Sequence, residues 1–464
     1  MMQTKTRQID LTKGPITKRL IQLALPIMGA SFTQMAYNMT DMIWVGKIGS
    51  KAVAAVGTAG FYPWLAMAFI MISKMGAEVK VAQSIGQDNL KKTKEYITHS
   101  LQINMILAIL YSIVMIIWCD PLIKFFDITD PAVISMAKQY LYVCALGMVF
   151  YFINPVLSSI FNAAGDSVTP FIVNAVGLIF NMVMDPILIL GIGIFPALGV
   201  LGAAIATVLA QAIVTVCFVV VIMLNKKEYF KIKLWGTMDK QITKEIIRVG
   251  FPAAVQSGLF TSFSMVLGKL VADFGATAIA VQKVGSQIEA ISWMSAGGFA
   301  SALGAFTGQN YGAHQYKRIF KGYNITMTLA IALGIFSSFL LIFFGTPLFA
   351  IFIDEPEAII EGTSYLRILG YSQLFMCVEI TVSGVFNGIG RTQIPAYISI
   401  VFTGLRIPLA YFLADPALLG LDGIWWSITL TSIVKGIFLI GIYMLLKKTN
   451  KLFLSEKNLF SVNI

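Results

Sequence analysis

Three side chains in the first half of this chain are of types that do chemistry only when their surroundings make them. Asp41 lies in 38-NMTDMIWVGKIG-49, near the end of an apolar run that begins around Leu20. Asn181 and Asp185 lie in 181-NMVMDP-186, four residues apart and therefore on one face of a helix. A carboxylate inside sequence of bilayer-spanning length is costly, and where one persists it marks an ion, proton or substrate path. Taken out of water beside polar partners, such a group can bind and release a proton near neutral pH. Two acids close together reinforce the effect, because both resist ionising at once. The alternative for Asp41 is to cap the outer end of its helix or to pair with Lys47. Pro26, in the same run, removes an i→i−4 hydrogen bond and allows a bend. A bendable helix that carries a titratable acid is a coupling element.

The elements that must position these residues are read from composition and apolar length. The chain has 464 residues, 57% hydrophobic and 12% charged, about half the 25% charge usual in soluble domains. Apolar runs long enough to cross roughly 30 Å of hydrocarbon recur along it. They predict helices at 18–45, 53–85, 97–118, 134–163, 169–191 and 197–224, then at 246–272, 277–306, 320–344, 358–387, 394–414 and 421–446. The expectation is an all-α integral membrane protein with twelve spans. The short basic N-terminus lacks a cleavage pattern, so the first helix is expected to be retained.

The net charge of +11 is spread over alternate connections rather than gathered in one patch, which excludes a nucleic-acid surface. Lys5, Arg7, Lys13, Lys18 and Arg19 precede the first span, and Lys91, Lys92 and Lys94 follow the second. The sixth loop carries Lys226, Lys227, Lys231, Lys233, Lys240, Lys244 and Arg248; the eighth carries Lys317, Arg318 and Lys321; the tail carries Lys447, Lys448, Lys451 and Lys457. The odd loops are poor in basic residues, and the ninth is acidic with Asp354, Glu355 and Glu357. Both termini are therefore expected on the cytoplasmic side.

The chain also repeats itself. The segment 161-FNAAGDSVTP-170 returns as 386-FNGIGRTQIP-395, an offset of 225. Ile16, Thr17, Lys18 and Pro26 match Ile242, Thr243, Lys244 and Pro252; Gly49 matches Gly275; Gly86-Gln87 matches Gly308-Gln309. Four matches in order define two six-helix repeats. The expected organisation is an N-terminal lobe at 1–224, a basic cytoplasmic connection at 225–245, and a C-terminal lobe with its tail at 246–464. Both halves enter the membrane the same way, so an axis along the membrane normal relates them, with a site between them and alternating access by rocking. The acids are not repeated: Asp41 falls opposite Leu267, and Asn181 opposite Arg406.

Other polar residues in the spans are Lys74 and Glu78, four apart and able to pair, with Lys80 reaching toward the cytoplasm. Gln34, Glu78, Gln282, Gln287, Glu289, Trp293 and Glu379 are candidates to line a substrate cavity. Lys269, Arg367 and Arg406 lie nearer helix ends and read as interfacial. Cys119, Cys144, Cys217 and Cys377 are far apart and read as small core residues; His99 and His314 are too distant in sequence to suggest a metal site. No phosphate loop, zinc motif or nucleophile elbow is present and no cofactor is implied, so an enzyme is not expected. Energy would come from an ion gradient, worth about 2.3 kcal/mol per charge per 100 mV.

Two six-helix halves, Pro26 and Asp41, the Gly-Gln turns, FNAAGDS-x-x-P and 282-QKVGSQIEAISWMSAGGFASALGAFTGQNYGA-313 together resemble the multidrug and toxic compound extrusion family, from about residue 12 to 448. Within it, Asp41, Asn181 and Asp185 are similar to the N-lobe acid cluster of the DNA-damage-inducible branch, and Tyr140, Asn154 and Thr207 to that cluster's polar neighbours. The resemblance implies a V-shaped molecule with a central cavity. It implies a secondary transporter that exchanges hydrophobic organic cations for H⁺, with Na⁺ at Asp41 and Asp185 as the alternative. Nothing in the sequence demands more than a monomer, and the short termini point to a prokaryotic cytoplasmic membrane. The acids of the other bacterial branch are in the C-lobe, and only Glu379 is comparable here. A rival reading is a flippase for an amphipathic lipid-linked substrate, for which Lys80, Lys269 and Lys283 would supply cavity cations.

Overall fold

The computed structural model describes residues 9–192, 196–225, 227–232, 234 and 236–453. Lys5, Arg7, Lys226, Lys233 and Lys457 of the basic segments lie outside the described residues. Among the described residues all regular structure is helical. The first half contains α1 (Ile16–Gly46), α2 (Ser50–Gly86), α3 (Leu90–Ile117), α4 (Cys119–Lys124), α5 (Pro131–Ala163), α6 (Val168–Leu190) and α7 (Val200–Leu224). After a 3-10 turn at Glu228–Phe230 come α8 (Lys240–Ala272), α9 (Ala276–Gly312), α10 (Tyr316–Phe343), α11 (Gly345–Ala350), α12 (Pro356–Gly370), α13 (Gln373–Gly388), α14 (Gln393–Leu413) and α15 (Leu421–Lys448).

The predicted spans fall one by one on the long helices, except the tenth. That span is the pair α12 and α13, which meet at 49°. Among the described residues nine helices are long and apolar enough to cross a membrane, or ten with the bent pair taken as one. The other two, α1 and α9, have 31 and 37 residues but carry more polar positions, among them Gln22, Gln34 and Asp41 in α1 and Gln282, Lys283, Gln287 and Glu289 in α9. The six-residue helices α4 and α11 follow the third helix of each repeat and are too short to show a period in sequence.

The chain forms two compact units, one of residues 1–14 and 21–254, the other of 15–20 and 255–464. In the first, α5 packs on α2, α3 and α7, and α6 packs on α7. Its core holds Phe152, Phe161 and Phe218. In the second, α13 packs on α9, α10 and α15, and α14 packs on α15, around Phe349, Leu366 and Trp425. Small residues let these helices approach closely, as helix packing in lipid requires. A Cβ on Gly250 of α8 would stand 1.8 Å from the Ile72 carbonyl oxygen of α2, and one on Gly384 of α13 would stand 2.4 Å from the Ala300 oxygen of α9.

Local chemistry sets the helix ends. Asp130 caps α5 by accepting the Ala132 N–H at 2.8 Å, with Pro131 as the first helical residue. The connection between repeats is fastened to the first unit. Phe230 stacks on Phe161 with ring centres 4.8 Å apart, Gln102 Nε2 donates to the Leu234 and Gly236 carbonyls, and His99 Nε2 accepts the Asp239 N–H at 2.8 Å.

Candidate ion and substrate sites

In the first unit, α1 brings Tyr37 and Asp41, one turn apart, toward α5, α6 and α7. Asn181 and Asp185 share one face of α6 as expected: Asn181 Nδ2 donates to Asp185 Oδ1 at 2.9 Å, and both residues are fully buried. Asp41 lies within electrostatic reach of Asp185, of Tyr37, and of Tyr140 and Cys144 on α5. The Tyr37 hydroxyl donates to the Thr207 carbonyl oxygen of α7 at 3.5 Å. Four oxygens of this group are buried without a hydrogen-bond partner among the described residues: Asp41 Oδ1, Asn181 Oδ1, Asp185 Oδ2 and Thr207 Oγ1. Folded proteins pair nearly all such atoms, and each orphan costs about 1–3 kcal/mol. Three of the four are acceptors only, an arrangement that can accept a donor such as a proton on one carboxylate.

Lys47 does not pair with Asp41; its Nζ sits 4.0 Å above the Trp44 ring centre. Asn154 forms a network of its own, donating to Gln211 Oε1 at 2.8 Å and accepting from the Thr215 hydroxyl at 2.7 Å. A small pocket lined by Thr33, Gln34, Tyr37, Asn174 and Gln211 lies among α1, α6 and α7, so Gln34 is a pocket residue and Tyr37 belongs to both pocket and acid cluster. Pro26 sits within an unbroken α1. Glu78 is partly buried on α2, and Lys80 pairs with Glu245 at 3.4 Å.

The second unit holds a separate charged group. Lys435 of α15 and Glu379 of α13 form an ion pair at 3.1 Å with side chains 12% and 8% exposed, and the Ser399 hydroxyl adds a bond to Glu379 at 3.2 Å. Gln373 Nε2 donates to Glu289 Oε1 at 3.1 Å, while the Ser292 hydroxyl donates to Gln373 Oε1. Gln282 is partly buried, and Gln287 and Trp293 turn outward from the face of α9 that carries Glu289 and Ser292.

Arg406 corrects an expectation. It is not interfacial but lies on the inward stripe of α14 with Ser399, Thr403 and Ala410, and it donates to Thr431 and Ser432 of α15. Counting residues from a helix end misplaced it; the 3.6-residue period places it. Lys435 and Tyr37 escaped notice altogether. Lys435 stands alone in 432-SIVKGIFLI-440, and a lone charge inside an apolar span is the signal that marks it.

A doubled helical scaffold of membrane-crossing length, with oxygen-rich acids sequestered inside it, defines a polytopic membrane transporter rather than an enzyme. The family model MatE matches residues 26–187 and again 252–412, two segments that start on the repeated prolines. The chain belongs to the MatE family. It is 30% identical to the probable multidrug resistance protein NorM of Thermotoga maritima, over 88% of each chain. It also matches a MATE crystal structure in the bent conformation with a TM-score of 0.85 and 25% identity, covering 95% of this chain and 98% of that one. An outward-facing multidrug resistance MATE transporter of the MOP superfamily matches with a TM-score of 0.88 and 24% identity, covering 98% and 100%.

Proposed function

We propose that this chain is a secondary active exporter that exchanges hydrophobic, mostly cationic organic compounds for H⁺, or for Na⁺, across a bacterial cytoplasmic membrane, working as a monomer. The observation that carries the reading is the set of orphaned oxygens around Asp41 and Asp185. A proton on either carboxylate supplies a donor to a neighbouring orphan, and a Na⁺ ion would use the same oxygens as ligands. Occupancy removes the repulsion between the two acids and lets α1 settle against α6 and α7; emptying restores it. Because Asp41 rides on the helix that contains Pro26, loading and unloading bias the conformation of α1. Tyr37 links this change to the small pocket. Asn154, with Gln211 and Thr215, acts by shaping that pocket's floor.

The flippase reading receives less support. Lys80 is engaged by Glu245, and Lys269 and Lys283 are exposed. The test is substrate-triggered flux in proteoliposomes under an imposed pH gradient, read by a pH-sensitive dye on adding ethidium, with and without sodium. Loss of flux in both Asp41→Asn and Asp185→Asn supports the assignment. Flux unchanged in Asp41→Asn removes Asp41 as the coupling acid.

A further inference from the structure

A cavity of about 440 Å³ lies in the first unit, and none of its lining residues belongs to the sites described above. The end of α3 and the start of α4 supply Ile116, Ile117 and Asp120, α5 supplies Lys138 and Tyr142, and the start of α7 supplies Leu201. Because α3 begins at the basic Lys91, Lys92 and Lys94, the cavity stands at the opposite end of the unit from that basic connection. Lys138 Nζ meets Asp120 Oδ1 at 2.5 Å, and the two side chains keep 36% and 66% of their exposure. An ion pair this exposed adds little to stability, and the repeat shows that the joint does not need it. The helices α10 and α11 follow α3 and α4 by 226 residues, and α12 follows the start of α5 by 225, so Thr346 and Thr363 stand at the positions of Asp120 and Lys138. There the same joint is closed by two hydroxyls, Thr363 Oγ1 donating to Thr346 Oγ1 at 3.1 Å. The charges are therefore an addition of the first unit, and they line a cavity.

Its surroundings fix the kind of ligand. Trp118, Phe125 and Tyr142 are exposed at the same end of the unit, and aromatic side chains so placed mark the level of lipid head groups. From Ile117 an apolar stripe runs back along α3 through Ile113 and Leu110, each exposed, in position to meet acyl chains. The volume falls within the range of small-ligand sites. The charges are balanced, so a simple anion drawn to Lys138 would meet the carboxylate of Asp120. A head group that carries both a phosphate and an ammonium satisfies each partner: phosphate oxygens accept from Lys138, and ammonium N–H groups donate to Asp120.

We propose that this cavity binds a phospholipid with an ethanolamine head group, its phosphate on Lys138, its ammonium on Asp120 and its chains along Ile117, Ile113 and Leu110. The site is independent of the transport reading, and its test reads binding rather than flux. The full-length chain, purified in detergent, is offered equal amounts of dioleoyl phosphatidylethanolamine and dioleoyl phosphatidylglycerol, and the bound lipids are counted by native mass spectrometry. The wild type should retain the ethanolamine lipid about tenfold over the glycerol lipid, the worth of one charge-assisted hydrogen bond. Asp120→Asn, which leaves Lys138 without its acid, should reverse that order. The double variant Asp120→Thr, Lys138→Thr copies the hydroxyl joint of the second unit, so it should fold, and it should retain the two lipids equally; it decides alone if Asp120→Asn is not recovered. Lys51→Gln breaks a different ion pair, to Asp130, and should leave the preference as it is. Equal retention in the wild type, a preference that survives in Asp120→Asn or in the double variant, or an equal fall in Lys51→Gln overturns the site. Displacement of the lipid by an equal concentration of soluble phosphoethanolamine overturns its assignment to a lipid.

Discussion

Replacing Lys435 by Met tests how the second unit handles its buried charge. The Lys435–Glu379 pair is 3.1 Å long, and its side chains keep 12% and 8% of their exposure. At that separation and an effective dielectric near 20, the attraction is about 5 kcal/mol. Most of that offsets the cost of drying both groups, so the pair itself adds little net stability. Removing one partner leaves the drying cost of the other uncompensated and should destabilise by about 3–5 kcal/mol. Ser399 supplies a single hydroxyl to Glu379 and cannot replace the lost charge. Lys435→Met should therefore lower stability by that amount, on the order of 10 °C in the unfolding midpoint of a unit this size. The double variant Lys435→Met, Glu379→Leu should recover most of the loss, with a coupling energy of about 2 kcal/mol or more. Unfolding of the purified variants by SDS titration in mixed micelles gives the energies directly. A loss below about 1 kcal/mol in the single variant, or strictly additive losses in the double, would refute the claim that Lys435 neutralises Glu379.

Two further outcomes follow from packing and from charge at a helix end. Gly250→Leu forces a side chain onto the Ile72 carbonyl, where even a Cβ would lie at 1.8 Å; it should cost about 3 kcal/mol or abolish folded yield. Gly441→Ala on α15, with nothing within 4 Å of the new carbon, is the matched control and should be neutral or slightly stabilising in the same unfolding assay. Asp130 is held below the usual carboxylate range by its bond to Lys51 and by the Ala132 N–H. A lowered folded-state value means its contribution is present above the ordinary carboxylate range and is lost as pH falls through the folded value. Asp130→Asn should therefore differ from wild type in thermal stability at neutral pH and converge with it as the pH falls below the folded-state value of Asp130; a difference that stays constant down to strongly acid pH would contradict the assignment.

The helices were legible because apolar length is a one-dimensional property, and a bilayer-length run predicts a span whatever packs on it. The bend at Tyr371 and Ser372 was not, since no proline marks it in the sequence. The face of each helix was legible only where the period was actually read. Asn181 and Asp185 were set on one face and found bonded there, whereas Arg406 was judged by its distance along the helix and misplaced. Asp41, Tyr37 and Thr207 converge from two helices far apart in sequence, and spacing alone carries no trace of that meeting.

The repeat gives the strongest reading of the charged residues once it is applied position by position. Tyr140, Asn154, Asn181 and Thr207 of the first half stand at the positions of Tyr365, Glu379, Arg406 and Ser432 in the second. Each of these eight residues is polar and none lies on a lipid-facing stripe. Duplication therefore supplied one scaffold position twice, and the two copies diverged in charge. In the first unit Asp41 and Asp185 have no ion pair among the described residues, and Asp41 Oδ1, Asn181 Oδ1, Asp185 Oδ2 and Thr207 Oγ1 have no hydrogen-bond partner there. The second brings in Lys435 as a cationic partner for Glu379. Matched positions in two halves of one fold thus differ in charge, neutral Asn154 and Asn181 in the first against Glu379 and Arg406 in the second, and what a buried position demands is a partner for whatever charge it holds. In the second unit that partner is built in for Glu379 by Lys435. An acid that must load and unload an ion has to lack a resident counter-charge, and Asp41 and Asp185 meet that condition while Glu379 does not.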